Sequence, residues 1–203
     1  ATGVGCQYAA VDLEAGTVGS DGLSVLLSNP SGTDLVSISV HSTVGGEELA
    51  EYSVDIGPGG AQALPLPARD VVGTLKGLLA YEVRGSRPFV AYQLSPAVNA
   101  VTHGAADMTR LLPRSAASTE FVAITGQSNG YVTVVAFEDD TEVSVRPAGP
   151  TAPGGGLTAM VAGTIYTVTL SEGELINLRG ASTDVDLMGT EVWASRPVSA
   201  FAG

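Results

Sequence analysis

Cysteine, lysine, histidine and aromatic residues are all scarce in this sequence of 203 residues. The single cysteine, Cys6, excludes a disulfide within the chain, and a zinc site cannot be built from thiolates. The sequence contains nine basic and 21 acidic residues, so the formal net charge is −12. Because phosphate groups and anionic membranes attract basic patches, this charge argues against nucleic acid or an anionic membrane as the partner. No run of 18 or more apolar residues is present, so no transmembrane segment is predicted.

Residues suited to catalysis are equally few. The two histidines, His41 and His103, have neither H-x-H nor H-E-x-x-H spacing. The stretch Gly126–Gly130 matches the nucleophile elbow G-x-S-x-G, with Ser128 at its centre. An elbow needs a helix after the serine, whereas β-branched and aromatic residues follow here, which favours a hairpin loop. No catalytic residue is predicted, and we do not expect an enzyme.

Glycine and proline are abundant, and they separate short segments in which apolar and polar residues alternate. Val36, Ile38 and Val40, for example, share one face of a candidate strand. Such segments recur roughly every ten residues without a long helical pattern, which is typical of antiparallel β-sandwiches. The sequence therefore predicts an all-β fold.

An internal repeat predicts how the strands are grouped. Glu82–Pro88 and Glu191–Pro197 are identical at five of seven positions. We interpret the chain as two tandem antiparallel β-sandwich modules, jelly-roll or Ig-like, related by internal duplication. The predicted modules are residues 1–112 and 113–203.

Both copies of the repeat end in Ser-Arg-Pro. Proline fixes φ and lacks an N–H, so Pro88 and Pro197 are each expected at the first residue of a strand or at a sheet edge, next to a tight corner. Arg87 and Arg196 would lie at these corners and bond carbonyls or a carboxylate. The alternative is that the two arginines bind a ligand.

Acidic side chains supply the candidate metal ligands. Glu138, Asp139 and Asp140 form one acidic loop, and Asp184 and Asp186 lie in another. Carboxylates from loops at one end of a sandwich can converge on Ca²⁺. The alternative is a pair of solvated turns, because aspartate also caps turns for local reasons. Calcium is the one cofactor considered, and no other is predicted.

Two further residues are candidates for structure or interaction. Cys6 is expected to be a buried structural thiol, or alternatively a bridge to another chain. Trp193 is the only tryptophan and alternates with Val192 on a late strand. Trp193 is therefore predicted to lie in the core or at an interface.

Several of these short stretches resemble one protein family. They are Cys6–Leu13, Arg87–Gln93, Glu138–Val145, Gly189–Val192 and Ser195–Val198. The chain is similar over nearly its whole length to the IgGFc-binding protein N-terminal domain family, particularly to bacterial extracellular members such as those of myxobacteria. The resemblance implies a secreted or surface-exposed module that binds or assembles rather than catalyses.

The duplicated β pattern, the acidic charge and the resemblance together predict a non-catalytic module, secreted or at the cell surface. Its function would be adhesion, or binding of a protein or glycan partner. The alternative is a structural subunit of a homopolymeric surface fibre or layer, assembled through strand addition. In that case the partner is a second copy of the chain.

Overall fold

The computed structural model describes residues 3–13, 23–44, 47–95, 107–126 and 130–203. These residues form strands and turns with one 3-10 helix, Arg114–Ala116, and no α-helix. All strand pairs are antiparallel, which confirms the all-β, sandwich-like prediction. In the described part of the chain, no helix has the length and apolar character needed to span a bilayer.

Fourteen strands are found in these residues. The first seven are β1 (Gly5–Ala10), β2 (Leu23–Ser28), β3 (Val36–Val44), β4 (Glu47–Ile56), β5 (Ala61–Leu66), β6 (Leu75–Gly77) and β7 (Tyr81–Ser95). The others are β8 (Asp107–Arg110), β9 (Ser118–Val122), β10 (Tyr131–Ala136), β11 (Thr141–Arg146), β12 (Tyr166–Leu170), β13 (Leu175–Arg179) and β14 (Glu191–Ala202).

The chain divides into two compact units. Unit 1 comprises Ala1–Val71 and Leu79–Ala116, and unit 2 comprises Val72–Leu78 and Ala117–Gly203. The predicted module boundary lies between residues 112 and 113 and leaves residues 72–78 in the first module. In the structure these residues carry β6, which pairs with β13 at the edge of the sheet of unit 2.

The two units share one strand arrangement. The sheet of unit 1 has the order β4-β3-β7-β2-β5, and β1 and β8 also pair with β7. The sheet of unit 2 has the order β12-β11-β14-β10-β13-β6, and β9 also pairs with β14. Taken in chain order, β9 to β14 therefore correspond to β1 to β5 followed by β7. Unit 2 has no described counterpart of β8.

The long last strand of each unit changes its neighbours partway along. In β7, residues 81–85 pair with β3 and residues 90–94 pair with β2. In β14, residues 191–194 pair with β11 and residues 198–202 pair with β10. The residues without a ladder partner are Ser-Arg-Pro in both strands. Of the two alternatives for Pro88 and Pro197, the start of a new strand is wrong, because each strand bends and continues through its proline.

Serine hydroxyls replace the missing ladder bonds at these bends. The N–H of Ser37 in β3 donates to Ser86 Oγ at 3.0 Å. In unit 2 the N–H of Glu142 in β11 donates to Ser195 Oγ at 2.9 Å. The backbone N–H groups of Ser37 and Glu142, which face the bends, thus each have a hydroxyl acceptor. Buried backbone N–H groups in proteins are nearly always hydrogen-bonded in this way.

Alternating apolar residues build the core of each unit as predicted. Val36, Ile38 and Val40 are each at most 1% exposed. In unit 2, Val143 and Val145 of β11 pack in the core cluster with residues of β10, β13 and β14. Periodicity along single strands therefore identified core positions correctly.

Side chains and backbone groups of unit 2 hold the short β6 segment in place. The buried Asn177 side chain donates from Nδ2 to the carbonyl of Gly73 at 2.7 Å, and the Arg179 N–H donates to Thr74 Oγ1 at 3.1 Å. Lys76, the only lysine, lies 3.3 Å from the Glu174 carboxylate. These contacts explain why residues 72–78 belong to unit 2, although the rest of their neighbourhood in the sequence belongs to unit 1.

At each bend, a small residue before Ser-Arg-Pro lies at the position that precedes an apolar residue after it, and the sizes of these two residues differ between the units. A Cβ added to Gly85 would lie 2.6 Å from Cδ1 of the fully buried Phe89. In unit 2 the equivalent residues are Ala194 and Val198, a larger residue beside a smaller one. Glycine at position 85 thus leaves room for the phenyl ring.

We expect Gly85→Ala to lower the free energy of unfolding by about 1–3 kcal/mol, because the added methyl overlaps a close-packed ring. Urea denaturation measures the change. As a matched control, Ala194→Gly should cost only about 0.5–1 kcal/mol. The double variant Gly85→Ala/Phe89→Val should cost less than the sum of its single changes. Additive costs would show that the two positions are not coupled.

Candidate binding surface

The arginine of each bend forms an ion pair with the loop before the neighbouring strand. Arg87 Nη1 lies 3.5 Å from Asp34 Oδ2, just before β3. Arg196 Nη1 lies 3.2 Å from Glu138 Oε2, just before β11. These pairs are partly exposed, and pairs of this kind contribute about 0–1 kcal/mol. Both guanidinium groups thus contact a carboxylate within their own unit; whether they also bind a ligand stays a prediction.

Three of the five carboxylates proposed as calcium ligands, Glu138, Asp139 and Asp186, bond to groups of the protein itself. Asp139 Oδ1 accepts the N–H of Glu172 at 2.9 Å. Asp140 is exposed and has a φ of 53°, which places it in the left-handed region at the turn between β10 and β11. Asp184 is exposed in the second loop.

Asp186 is the acidic residue with the best-defined partners. Its Oδ1 accepts a hydrogen bond from the Thr125 hydroxyl at 2.5 Å and another from the N–H of Met188 at 2.8 Å. The Thr125 hydrogen bond, followed by that of Met188, holds the pKa of the Asp186 carboxyl below its ordinary value.

Among the residues that the structure describes, no three His, Cys, Asp or Glu side chains lie close enough together to hold a metal ion. His103 and residues Gln127–Asn129, including Ser128 of the elbow-like motif, lie outside the described residues. Calcium binding and the hairpin interpretation of this motif therefore stay predictions.

Cys6 and Trp193 are both less buried than a core residue would be. Cys6 is exposed in β1 and has a free thiol, so the expectation of a buried structural thiol is wrong. Trp193 is half-buried on β14, and the Arg146 guanidinium lies 5.6 Å from the centroid of its ring. Arg146 also forms an ion pair with Glu191. Trp193 thus belongs to a charged and aromatic cluster on the face of β14 opposite to the buried Val192.

An apolar groove of about 210 Å³ opens on unit 2. Strand β9 and the residues after it form one wall, and the second half of β14 forms another. We call it the β9–β14 groove, and its lining residues are Phe121, Val122, Ala123, Ile124, Val132, Val192, Ala200, Phe201 and Ala202.

Two aliphatic side chains of this groove are strongly exposed. Val122 is 66% exposed and Ile124 is 78% exposed. They follow Phe121 in a run of four apolar residues, Phe121–Ile124, where a half-buried strand would alternate with polar residues. This unbroken apolar run is the feature of the sequence that corresponds to the exposed surface, and no motif accompanies it.

The groove was found from the structure rather than from a sequence motif, and a comparison with known proteins covers the same region. A protein-family model described as IgGFc binding protein matches residues 107–203. The matched region includes β8 to β14, and with them the groove and the second Ser-Arg-Pro bend, but it spans just under half of the chain. No curated protein and no solved structure matches the chain.

Replacing Thr125 by valine should raise the pKa of Asp186 toward its ordinary value, because the largest cause of the lowering is removed. A lowered carboxyl pKa adds stability above the unfolded-state pKa, and this stability is lost as the pH falls through the folded-state value. Thr125→Val should therefore make stability less dependent on pH in the acid range.

Carbon-13 NMR titration of the Asp186 carboxyl measures this shift directly. Thr183→Val is the matched control, since Thr183 lies on the same exposed loop and should leave the pKa of Asp186 unchanged. An unchanged Asp186 pKa in Thr125→Val would contradict the assigned cause.

Proposed function

We propose that this chain is a non-catalytic extracellular module for adhesion or binding, and that it recognises a protein partner through the β9–β14 groove. The observation that carries the proposal is the exposure of Val122 and Ile124 beside this groove. The match of residues 107–203 to a family model named for binding the Fc region of IgG supports a protein-binding, extracellular role.

Exposed aliphatic side chains around a concave apolar surface are typical of interaction sites. Soluble proteins rarely leave contiguous apolar patches in water, and such patches often mark a binding surface. Burial of one large aliphatic side chain on binding contributes about 1.5–3 kcal/mol. Ile124, the more exposed of the two, is therefore the expected anchor of the interface.

The size of the groove argues for a macromolecular partner. Sites for drug-sized ligands usually have volumes of about 300–1,000 Å³. A groove of about 210 Å³ suits one or two side chains presented by a larger partner. Its lining has no charged residue and only two aromatic residues, Phe121 and Phe201, which favours a protein over a glycan.

Replacing Ile124 by lysine should weaken partner binding at least about tenfold, because the change places a charge where an aliphatic anchor is buried. Biolayer interferometry of the immobilised chain measures this, with an IgG Fc fragment as the first probe, followed by a panel of extracellular proteins and a glycan array. Ile165→Lys is the matched control, since Ile165 is 59% exposed in unit 2 but outside the groove.

Saturable binding to a protein that Ile124→Lys weakens and Ile165→Lys spares would support the proposal. Binding that neither variant changes would show that the interface lies outside the β9–β14 groove, and would contradict the proposed site. Binding of glycans alone, or of nothing, would contradict a protein-binding module.

A further inference from the structure

We propose that two copies of this chain exchange strand β6, so that each copy completes unit 2 of the other. This inference goes beyond the proposed function and does not depend on the β9–β14 groove. Unit 2 contains a slot that is built for one strand, and the strand that fills it comes from a segment whose two flanks belong to unit 1.

Strand β13 forms one side of this slot. In unit 1, β5 is the last strand of the sheet among the residues that the structure describes, whereas its counterpart β13 pairs with β6. Strand register makes Pro65 of β5 equivalent to Arg179 of β13. Proline has no N–H and suits an unpaired edge. The N–H of Arg179 instead donates to Thr74 Oγ1 at 3.1 Å, so the edge of β13 is suited to receive a strand.

Burial along the two equivalent strands differs in the same sense. Residues Ala61–Leu64 of β5 are exposed or half-buried, whereas the equivalent residues Leu175–Leu178 of β13 are all buried. Apolar side chains on the last strand of a sheet need a neighbour that excludes water. Strand β6 is that neighbour, with Lys76 opposite Ile176. Unit 2 therefore depends on β6 in a way that unit 1 does not depend on any equivalent strand.

The connection between β11 and β12 forms the other side of the slot. Residues 147–165 separate these strands, whereas only residues 45–46 separate the equivalent strands β3 and β4. The N–H of Lys76 donates to the carbonyl of Gly155 at 3.2 Å. A Cβ on Gly154 would overlap the carbonyl oxygen of Thr74, and a Cβ on Gly155 would lie 2.5 Å from Cα of Leu75. These two glycines let the backbone of β6 enter, and we call the space between β13 and residues 154–155 the β6 slot.

The contacts of β6 in this slot are specific to its sequence. Asn177 Nδ2 donates to the carbonyl of Gly73 at 2.7 Å, and Lys76 Nζ lies 3.3 Å from Glu174 Oε2. The segment that fits the slot, residues 73–77, is present in every copy of the chain. A second copy can therefore supply the same strand with the same contacts, which makes exchange of identical elements a low-cost route to a dimer.

The link between the units favours exchange. Unit 1 ends at Ala116, which also ends the 3-10 helix, and β9 begins at Ser118. Ala117 alone thus separates the last element of unit 1 from the first strand of the second repeat. Short connections invite exchange between copies, because they restrict how the chain can satisfy the slot with its own segment. We therefore assign the slot to β6 of a second copy.

Paired cysteines report which copy supplies β6. Lys76 lies opposite Ile176, and the Lys76 N–H points to Gly155, so this is a non-hydrogen-bonded pair. Cα atoms of such a pair are about 4.5 Å apart, which is within the range of a disulfide. The variant Cys6→Ser/Lys76→Cys/Ile176→Cys is oxidised at a series of protein concentrations and separated on a denaturing gel without reductant. We expect a covalent dimer that increases with concentration, as mass action requires.

The matched control is Cys6→Ser/Ser144→Cys/Thr167→Cys. The hydroxyls of Ser144 and Thr167 are 2.8 Å apart on β11 and β12, so their disulfide should form within one chain at every concentration. Covalent dimers at equal levels in both variants would reflect random oxidation and would overturn the proposal. Covalent monomers alone from the Lys76/Ile176 pair would also overturn it, and multimers larger than a dimer would overturn reciprocal exchange.

Light scattering of the original chain keeps the test open if the cysteine variant does not fold. We expect a dimer at high concentration, and an insertion of Gly-Gly-Ser after Ala116 should weaken it at least about tenfold, because a longer link relieves the restriction on the closed monomer. A monomer at every concentration, or a dimer that the insertion leaves unchanged, would overturn exchange.

The Ile124→Lys variant separates this inference from the proposed function. Ile124 lies outside the β6 slot, so the variant should dimerise like the original chain while losing its partner at the groove. A dimer that Ile124→Lys abolishes would be an association through the groove, which would overturn exchange of β6. If the dimer forms as expected and no protein partner binds, exchange stands and the proposed function fails.

Discussion

Each unit depends on one long strand that serves two sets of neighbours, and the change occurs where three residues leave the hydrogen-bonded ladder. Proline has no N–H to donate, so it is tolerated at such a point and would be costly within a central ladder. Ser86 and Ser195 supply acceptors to the adjacent strand, and the following arginine pairs with a carboxylate in the loop before it. The bend allows one strand to join the two parts of a curled sheet around a common core.

The two units share a strand arrangement but differ in the residues that pack around their long last strands. In unit 1 the buried Tyr8 donates to the carbonyl of Phe89 and accepts the N–H of Gly5 at 2.9 Å, and burial raises the pKa of this tyrosine to about 12. Leu111 then closes the edge beside Ala91. In unit 2 an apolar groove lies between β9 and the second half of β14. The two units thus share a strand arrangement but differ in the side chains that pack on it.

Buried asparagine side chains donate hydrogen bonds to backbone carbonyls outside the strand ladders. Asn29 is 1% exposed, and its Nδ2 donates to the carbonyls of Asp34 and Ile56 at 2.8 and 2.9 Å. Asn177 does the same for Gly73, which is more than a hundred residues away in sequence. A buried carbonyl without a partner costs about 1–3 kcal/mol, so these amides make it possible for irregular backbone to lie against the core. Sequence alone did not identify them, because an asparagine that bonds a distant carbonyl looks like one that caps a local turn.

The sequence by itself determined the all-β class, the core positions of strands such as β3 and the special character of the two Ser-Arg-Pro segments. These features depend on the alternation of apolar and polar residues, on the chemistry of proline and on an internal repeat, all of which can be read directly from the sequence. Only the tertiary structure decided that β7 and β14 continue through their prolines, that residues 72–78 join unit 2, and that Ile124 is exposed while Val11 is buried. Phe121–Ile124 and Tyr8–Val11 are both apolar in sequence, so composition does not distinguish them. Burial of Val11 involves residues far away in the chain, such as Gln93, whose side chain bonds both backbone groups of Val11, and no local pattern encodes such a contact.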